Sequence, residues 1–441
     1  MSTPATATIR QPVSPRPTRQ PGPSGSGARF VGVDIARFLA IAGMMATHLI
    51  AINAMNPAAS EFEQGAAQVA QTLTSGIAAP LFAVLGGLSS VFATRRLLRE
   101  RRTGAAIGAV ALRGVVLILV GLLLALVVSP VVVVLAYYGT AMILIAPLIA
   151  IRGPVLLAIA AVLGLAGGPL NAAARSGLGI VNEGGSVSFE LLAADPVGAL
   201  RALAVTGEYP AITWVVYLLA GMLIGRLLVA ASGRGTLMRA SVALAGIGAA
   251  AGAGAQLASG WVTAHLSVFG FAPIEGVDPE MFRTMLVAPT YGAPFSTDLW
   301  AQLVATPHSG SPMDLVRTIG ISLAVIGLLV LLCDTGSRGA GSRGAGSRGP
   351  AARALDAVRS TGAAPLTIYA LHIVVTGLVL TPLFEDPSLL ESGIPWWAAG
   401  TTAFALQLGG ALVIGAILSA TGRRGPLEAA TSGIVRLVVR G

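Results

Sequence analysis

Three ionisable residues within one apolar segment are the first candidates for chemistry. In the stretch from Arg29 to Ile52, Asp34 and Arg37 are three residues apart and share a helix face. His48 follows Arg37 by eleven residues, which places it on the same face about 16 Å further along. Ionisable side chains inside a bilayer are costly and normally face a protein interior or a water-filled pathway. The stripe therefore predicts a functional site rather than a single structural ion pair.

The composition indicates that this stripe lies in a membrane protein. Of the 441 residues, 54% are hydrophobic and only 11% are charged, and the apolar residues come in long runs. The basic residues are all arginine, which is typical of a GC-rich genome and suggests a bacterial source. They lie at the ends of apolar segments and not in one patch, so a nucleic-acid partner is not expected. A single cysteine and four histidines disfavour a disulfide or a metal site.

The helices that enclose the stripe are expected in ten apolar segments. Their approximate bounds are 31–53, 75–94, 105–128, 131–151, 154–170, 211–231, 240–264, 315–333, 361–383 and 394–420. Connections on one side hold most of the arginines, and those on the other side hold most of the acids. By the positive-inside rule this predicts an all-α, polytopic membrane helical bundle of about ten transmembrane helices with both termini cytoplasmic.

Composition shifts divide the chain into four parts. Residues 1–28 are rich in Pro, Ser, Thr and Gly and predict a disordered cytoplasmic tail. Residues 29–334 hold helices one to eight of the membrane domain. Residues 335–359 include three Gly-Ser-Arg-Gly repeats, the first two each followed by Ala, and predict a flexible linker. Residues 360–441 hold helices nine and ten and a cytoplasmic tail. Two long outside loops, at 171–210 and 265–314, are long enough to cap a site.

Several short motifs resemble the transmembrane acyltransferase superfamily. The first is the D-x-x-R-x10-H arrangement of Asp34, Arg37 and His48. It is followed by SGIAAPLFAVLGGLSSVFATRR (75–96), TGEYPAITWVVYLLAGMLIGR (206–226), APLTIYALH (364–372) and GPLE (425–428). Their order and spacing resemble the heparan-α-glucosaminide N-acetyltransferase-like proteins and the YeiB-like proteins, and more distantly acyltransferase family 3.

The resemblance implies a membrane enzyme that takes an acyl group, most simply acetyl, from cytosolic acyl-CoA. It would pass the group to a hydroxyl or amine of a glycan or lipid-linked acceptor on the extracytoplasmic side. Arg37 and His48 match a pair that is functional in acyltransferase family 3. Two departures stand out: Phe38 replaces the usual glycine, and residues 54–74 lack the histidine that the lysosomal acetyltransferases carry there.

Three histidines are the candidate catalytic residues. His48 could take the acceptor's proton or accept the acyl group itself, and the alternative is a hydrogen bond to a neighbouring helix. His308, in the turn TPHSGSPMD, could contact the acceptor or be an ordinary loop residue. His372 follows Tyr369 by three residues in an apolar helix, where a tertiary hydrogen bond is the simpler interpretation.

Five residues are candidates for binding the donor. Arg37 could hold CoA phosphates through its planar fork, with Asp34 orienting it, although the two could equally be a buried pair that fixes helix packing. Arg95 and Arg96 belong to a basic cluster that is mainly a topology signal. Arg113 precedes fifteen apolar residues and is harder to explain in that way.

The favoured interpretation is thus an acyl-CoA-dependent O- or N-acyltransferase of the cell membrane that uses no metal. Its expected partners are membrane lipids and a glycan or glycolipid acceptor, and the oligomeric state, a homodimer among others, is left open. The alternative is a proton-coupled transporter or exporter of a small amphipathic solute, which would move solute without consuming CoA. A non-catalytic scaffold would leave the polar stripe without a purpose.

Overall fold

The computed structural model describes residues 30–180, 183–272, 276–336 and 349–439, and every regular element within these ranges is helical. The tail at 1–28 and residues 337–348 of the repeat lie outside the described residues. The helices are α1 (Val31–Leu49), α2 (Glu61–Thr74), α3 (Ala78–Arg99), α4 (Thr103–Leu124), α5 (Leu135–Ile145), α6 (Gly153–Leu178), α7 (Phe189–Ala194), α8 (Pro196–Arg201), α9 (Ala211–Gly233), α10 (Leu237–Ala264), α11 (Pro279–Val287), α12 (Leu299–Leu303), α13 (Pro312–Asp334), α14 (Pro350–Gly362), α15 (Pro365–Phe384), α16 (Leu389–Ser392), α17 (Gly400–Thr421) and α18 (Pro426–Val439).

The membrane-spanning helices follow the order of the apolar segments. Nine helical stretches in the described part of the chain are long and apolar enough to cross a bilayer. The segment predicted at 131–151 is shorter, with an apolar helix over Leu135–Ala150. The all-α membrane bundle is therefore confirmed, and the cytoplasmic placement of both termini stays a prediction.

Two helices, α2 and α14, lie outside the spans that the sequence predicts. Helix α2 precedes the second span and is separated from α3 by a break at Gly76, whose φ of +66° is a left-handed conformation that suits glycine. Helix α14 covers the second half of the segment predicted as a linker at 335–359 and packs against α1 and α17. Both helices are amphipathic, so their apolar residues do not form the long runs that mark a span.

Helix α1 begins near Arg37 at one end of the bundle, the Arg37 end, and finishes near His48 at the other, the His48 end. At the Arg37 end, the carboxylate of Asp334 accepts hydrogen bonds from the backbone N–H groups of Val31 (2.8 Å) and Gly32 (2.9 Å). These are among the first N–H groups of α1, which have no partner within the helix. The end of α13 therefore fixes the start of α1.

Glycines allow α3 and α9 to pack with their backbones in contact. A Cβ placed on Gly221 would lie 1.9 Å from the carbonyl oxygen of Val84, and one on Gly87 would lie 1.9 Å from the carbonyl oxygen of Leu218. Small residues at such crossings permit the close approach on which helix association in membranes depends. Gly221 in the motif at 206–226 is thus explained by helix packing.

We expect Gly221→Val to destabilise the bundle, because its side chain would meet backbone that cannot move aside. Overpacking of a close contact typically costs about 1–3 kcal/mol. Thermal unfolding in detergent should show a lower midpoint for this variant. Gly233→Val is the matched control, since a Cβ there meets nothing within 4 Å. Equal midpoints for the two variants would contradict this account of the crossing.

Candidate active site

Two of the predicted catalytic histidines meet across the bundle. His48 Nδ1, near the end of α1, lies 2.9 Å from His372 Nε2 on α15, and the two rings are nearly parallel. His372 is almost fully buried, whereas His48 is half-buried. Residues 324 positions apart thus form one hydrogen-bonded pair, which the sequence alone did not predict.

A third residue, Gln407 on α17, extends this pair into a chain. Its Oε1 lies 2.6 Å from His372 Nδ1, and its Nε2 donates to Thr376 Oγ1 at 3.2 Å. The bond to Thr376 turns the amide so that its carbonyl oxygen faces His372. That oxygen can only accept, so His372 carries its proton on Nδ1.

The tautomers of both histidines follow from this network. With its proton on Nδ1, a neutral His372 presents the lone pair of Nε2 and accepts a hydrogen bond from His48 Nδ1–H. The Nε2 atom of His48 is then left with a free lone pair. Orienting one ring nitrogen through the other is the usual way in which a protein prepares a histidine as a base.

Two half-buried glutamates fix the positions of the helices that carry His372 and Gln407. Glu428 accepts hydrogen bonds from the backbone N–H groups of Leu366 (2.6 Å) and Thr367 (3.1 Å) and thus caps α15. Glu63 does the same for α17, through the backbone N–H and hydroxyl of Thr401. The motifs at 364–372 and 425–428 therefore meet in space, and their contact fixes the height of His372.

His48 opens on a small chamber of about 60 Å³ at the His48 end. The chamber also receives His308 from the loop before α13, Tyr209 from the loop before α9, and Tyr291 and Tyr369. The Tyr291 ring stacks on His308 with centroids 5.4 Å apart, and Tyr209 meets His308 edge-on at 5.6 Å. The two long loops thus contribute side chains to a site beside His48.

The end of α6 holds both of these loops in place. Asn171 Nδ2 donates to the carbonyl oxygen of Gly292 at 2.5 Å, and Arg175 Nη2 donates to that of Gly207 at 2.8 Å. Both α6 side chains are buried. The loops that carry the two tyrosines are therefore tied to a spanning helix and to each other.

His308 is held in an unusual conformation. Its φ of +63° lies in the left-handed region, which is uncommon for a bulky residue and often marks a functional site. Its carbonyl oxygen accepts a hydrogen bond from Gly292 N at 2.9 Å. Burial, with a smaller contribution from the charge of Arg317, lowers the pKa of His308 to about 4. The imidazole is accordingly neutral near pH 7, and it can accept a hydrogen bond or a proton.

The predicted Asp34–Arg37 pair lies at the other end of α1. Arg37 Nη1 donates to Asp34 Oδ1 at 2.6 Å, and Nη2 donates to Ser89 Oγ on α3 at 2.8 Å. Both residues line a cavity of about 610 Å³ that opens at the Arg37 end between α1, α14, α17 and α18. We call it the arginine cavity, because Arg359, Arg423 and Arg424 line it as well.

The arginine cavity presents binding groups that the chain does not use internally. Arg359 Nη1 pairs with Asp356 Oδ1 at 3.2 Å, whereas its Nε is buried and has no hydrogen-bond partner within the described ranges. In the same part of the chain, the exposed guanidinium groups of Arg423 and Arg424 make no hydrogen bond or ion pair. Guanidinium groups bind phosphate oxygens through paired N–H donors. The cavity therefore has the chemistry of a phosphate-binding site, and its size suits a ligand much larger than a phosphate.

Three of the candidate donor-binding residues lie outside this cavity. Arg96 is exposed and pairs with Glu100 at 2.8 Å. Arg95 lies over the ring of Phe92 at 6.0 Å. Arg113 on α4 has a buried Nη1 without a hydrogen-bond partner among the described residues, but it does not line the arginine cavity. The structure thus brings Asp34 and Arg37 together with other arginines.

Apolar side chains separate the arginine cavity from the histidine chamber. Arg37 and His48 are eleven residues apart on α1, or about 16 Å along the helix. Between them Ala40 and Ile41 are buried in the core, and Met44 lines the chamber. The face of α1 predicted from residue spacing therefore has a polar site at each end and a closed apolar stretch between them.

Several site residues carried only weak signals in the sequence. Gln407 is a lone amide in an apolar helix, and this is the feature that could have identified it. Arg359, Arg423 and Arg424 belong to the arginine-rich connections that indicate topology, and the last two directly precede the GPLE motif. Nothing in the local sequence shows that they meet Arg37, because their contact depends on how α14, α17 and α18 pack on α1.

The fold and these two sites define a multi-pass helical membrane protein with a histidine-based site at one end and an arginine-lined cavity at the other. The family model described as heparan-alpha-glucosaminide N-acetyltransferase, catalytic, matches residues 29–254, which is more than half of the chain. The chain belongs to this family and is a membrane acetyltransferase. The matched region includes Asp34, Arg37 and His48 and ends before His308. A comparison with curated proteins gives no match.

Proposed function

We propose that the protein transfers an acyl group, most simply acetyl, from acyl-CoA to a hydroxyl or amine of a glycan or lipid-linked acceptor. The donor binds in the arginine cavity, and the acceptor reaches the histidine chamber. The observation that carries the proposal is the chain from Gln407 through His372 to His48, which leaves the Nε2 lone pair of His48 free. A base prepared in this way beside a chamber is what acyl transfer to a hydroxyl or amine requires.

The charge of the arginine cavity and its distance from His48 both support binding of the donor there. CoA carries several phosphate charges, and Arg423 and Arg424 offer paired N–H donors for them. Arg359 and Arg37, the latter held by Asp34 and Ser89, add positive charge to the same cavity. The pantetheine arm would extend along α1 toward His48, displacing side chains such as Met44. Methionine is unbranched and adapts readily to such a change.

The chemical step needs one proton to change place. As the acceptor oxygen or nitrogen attacks the thioester carbonyl, His48 Nε2 takes its proton, and His372 Nε2 keeps the hydrogen bond from His48 Nδ1–H. The C–S bond then breaks, the acyl group stays on the acceptor, and the proton passes to the departing CoA sulfur. The products are the acylated acceptor and free CoA. If His48 accepts the acyl group first, the same groups serve two successive transfers.

Loop side chains would orient the acceptor. Burial holds the pKa of Tyr209 well above its usual value, so its phenol stays protonated and can donate a hydrogen bond. The neutral His308 beside it can accept one. A hydroxyl or amine between them would therefore find both a donor and an acceptor.

A thiol-release assay tests the proposal. Purified protein in nanodiscs is given acetyl-CoA with and without a membrane glycolipid extract, and free CoA is measured. We expect release that depends on protein and rises with the extract, together with acetyl label in the glycolipid fraction. Solute movement in proteoliposomes without CoA release would contradict the proposal and favour transport.

The arginine asymmetry supports a cell-membrane location with the arginine cavity facing the cytoplasm. Most arginines of the connections lie at the Arg37 end, and most acids lie at the His48 end. Acyl-CoA would then enter from the cytoplasm, and the acceptor would be modified on the extracytoplasmic side.

We expect Gln407→Leu to lower turnover about tenfold, because His372 would lose the acceptor that fixes its tautomer. A single hydrogen bond contributes about 0.5–1.5 kcal/mol, and about 1.4 kcal/mol corresponds to a factor of ten in rate. Steady-state rates against pH provide the measurement. Gln407 acts through His372 and is therefore a positioning residue.

Gln407→Glu separates positioning from packing. A carboxylate keeps an oxygen acceptor facing His372 and favours protonated imidazole nearby, so activity should persist with its acidic limb moved to higher pH. A merely structural role would leave the pH profile of Gln407→Glu unchanged. That result, with a normally folded Gln407→Leu at full activity, would remove Gln407 from the site.

A further inference from the structure

A second large cavity lies beside the histidine chamber. It is a groove of about 920 Å³ between α2 and α10, with α13 at its floor. The end of α11, at 286–287, and the loop at 304–307 close one side. Its lining reaches from Thr263, near the end of α10, back to Ala249. That is fourteen residues, or about 21 Å along the helix. Since α10 spans the membrane, the groove extends from the His48 end to bilayer depth.

The chemistry of the walls changes along the length of the groove. Toward the His48 end they carry amides and hydroxyls, contributed by Gln68, Gln71, Thr72, Gln256 and Thr263. Toward the centre of α10 the lining becomes small and apolar, with Ala249, Gly252, Ala253 and Ile321. Glutamine and threonine side chains recognise hydroxyl groups by hydrogen bonding, whereas the inner half offers only apolar contact.

The floor of the groove holds a buried polar group that needs a partner. Arg317 is only 7% exposed and lines the groove, and its Nε has no hydrogen-bond partner among the described residues. Its Nη2 donates to Asp314 Oδ1 at 3.0 Å, so the pair is close to neutral and does not call for an anion. A buried donor without a partner destabilises the protein, and a ligand hydroxyl that reached it would satisfy it.

The groove and the histidine chamber share a thin wall. Along residues 74–78, Thr74 and Ala78 line the chamber while Ser75 and Ile77 line the groove. On the opposite loop, Pro307 faces the groove and its neighbour His308 lines the chamber. A small movement of these two segments would join the spaces. A ligand in the groove would then lie next to His48.

We propose that this groove binds the acceptor and that the acceptor is a glycolipid, with its sugar among the amides and its apolar tail along α10 toward the bilayer. The inference rests on the proposed acyl transfer and identifies the class of substrate and its place of entry. It follows from the change of wall chemistry, the extension of the groove along α10 to bilayer depth and the Arg317 Nε that has no partner among the described residues. A free sugar would leave the apolar half of the groove without a ligand.

Photo-crosslinking tests the proposal without turnover. The full-length protein in nanodiscs, with no acetyl-CoA, is irradiated with an octyl glucosaminide that carries a diazirine beside the sugar, and labelled peptides are mapped by mass spectrometry. We expect label on groove-lining residues, which are Gln68, Gln71 or Thr72 on α2 and Gln256, Ser259 or Thr263 on α10. Excess unmodified octyl glucosaminide should abolish it, whereas free glucosamine or octanol should not.

A matched pair of variants on α2 locates the headgroup. Gln68→Leu combined with Gln71→Leu removes two exposed amides of the groove, and each loss should weaken apparent affinity about twofold to tenfold. Gln64→Leu is the control, because Gln64 is an exposed glutamine of the same helix that does not line the groove. Its labelling should equal that of the unmodified protein.

Two outcomes would overturn the proposal. One is label that excess octyl glucosaminide does not suppress, or that lies on the exposed face of Leu257 and Trp261, because this indicates bulk lipid contact. The other is equal competition by free glucosamine, which indicates a water-soluble acceptor. If the groove is not labelled but acetyl-CoA is still cleaved to free CoA, the glycolipid proposal is wrong and the proposed acyl transfer stands. Specific labelling of the groove without acetylation of the glycoside would count against the transfer reaction alone.

Discussion

His48→Ala should abolish turnover while leaving expression, fold and CoA binding close to those of the unmodified protein. His48 is the residue that joins the relay from Gln407 and His372 to the chamber, and its Nε2 has a free lone pair. Losing a general base typically lowers the rate by about 10²- to 10⁴-fold. Initial rates of CoA release, with CoA binding measured separately, give both quantities.

The controls for His48 come from the other histidines and from a conservative change. His265→Ala should retain full activity, because that imidazole is exposed and its contacts with Trp261, a hydrogen bond to the carbonyl oxygen and a ring stack, lie outside the site. His48→Gln offers His372 an amide donor but cannot take a proton, so it should be nearly as inactive as alanine. If His48→Gln keeps most of the activity, His48 only positions another group, and alanine variants of His308 and His372 would identify the base.

Arg37→Lys should weaken acyl-CoA binding by about ten- to a hundredfold and leave the maximal rate less affected. Lysine keeps the positive charge but loses the planar fork that donates to Asp34 Oδ1 and Ser89 Oγ at the same time. A hydrogen bond to a charged group contributes about 1.5–3 kcal/mol, which sets the size of the effect. Calorimetric titration of the purified protein with CoA measures it.

Two comparisons make the Arg37 prediction specific. Arg96→Lys lies at the same end of the bundle but outside the arginine cavity, in an exposed pair with Glu100, and should bind CoA normally. Arg37→Ala also deprives buried Asp34 of this partner, which is expected to lower stability by about 3–5 kcal/mol. Normal CoA affinity in Arg37→Lys would exclude Arg37 from donor binding.

The membrane bundle was predictable because a bilayer imposes a strong constraint on sequence. A spanning helix needs about 20 apolar residues, and nine stretches of the described residues meet that requirement by themselves. Helices α2 and α14 were missed because they lie at the ends of the bundle and are amphipathic. These helices are only 14 and 13 residues long and rich in polar residues. At that length the sequence pattern does not distinguish a surface helix from a flexible segment.

The candidate site was predictable only in part. Asp34, Arg37 and His48 could be identified because ionisable groups in an apolar segment are costly and because their spacing fixes a shared face. The partners of His48 could not be identified from the sequence, since the His48–His372 contact depends on the relative height of α1 and α15. That height is set by the Glu428 cap, a contact across 62 residues that no local pattern encodes.

The central claim is that an acyl group passes from a donor at the Arg37 end to an acceptor at the His48 end. The most direct measurement uses proteoliposomes of known protein orientation, with radiolabelled acetyl-CoA supplied only on the outside. A glucosamine-terminated glycolipid, which cannot flip across the bilayer, is placed in the inner leaflet. We predict acetylated glycolipid only where the arginine cavity faces outward, and none with His48→Ala. A parallel preparation carries the glycolipid in the outer leaflet instead, and acetylation there with none of the inner-leaflet glycolipid would contradict the account.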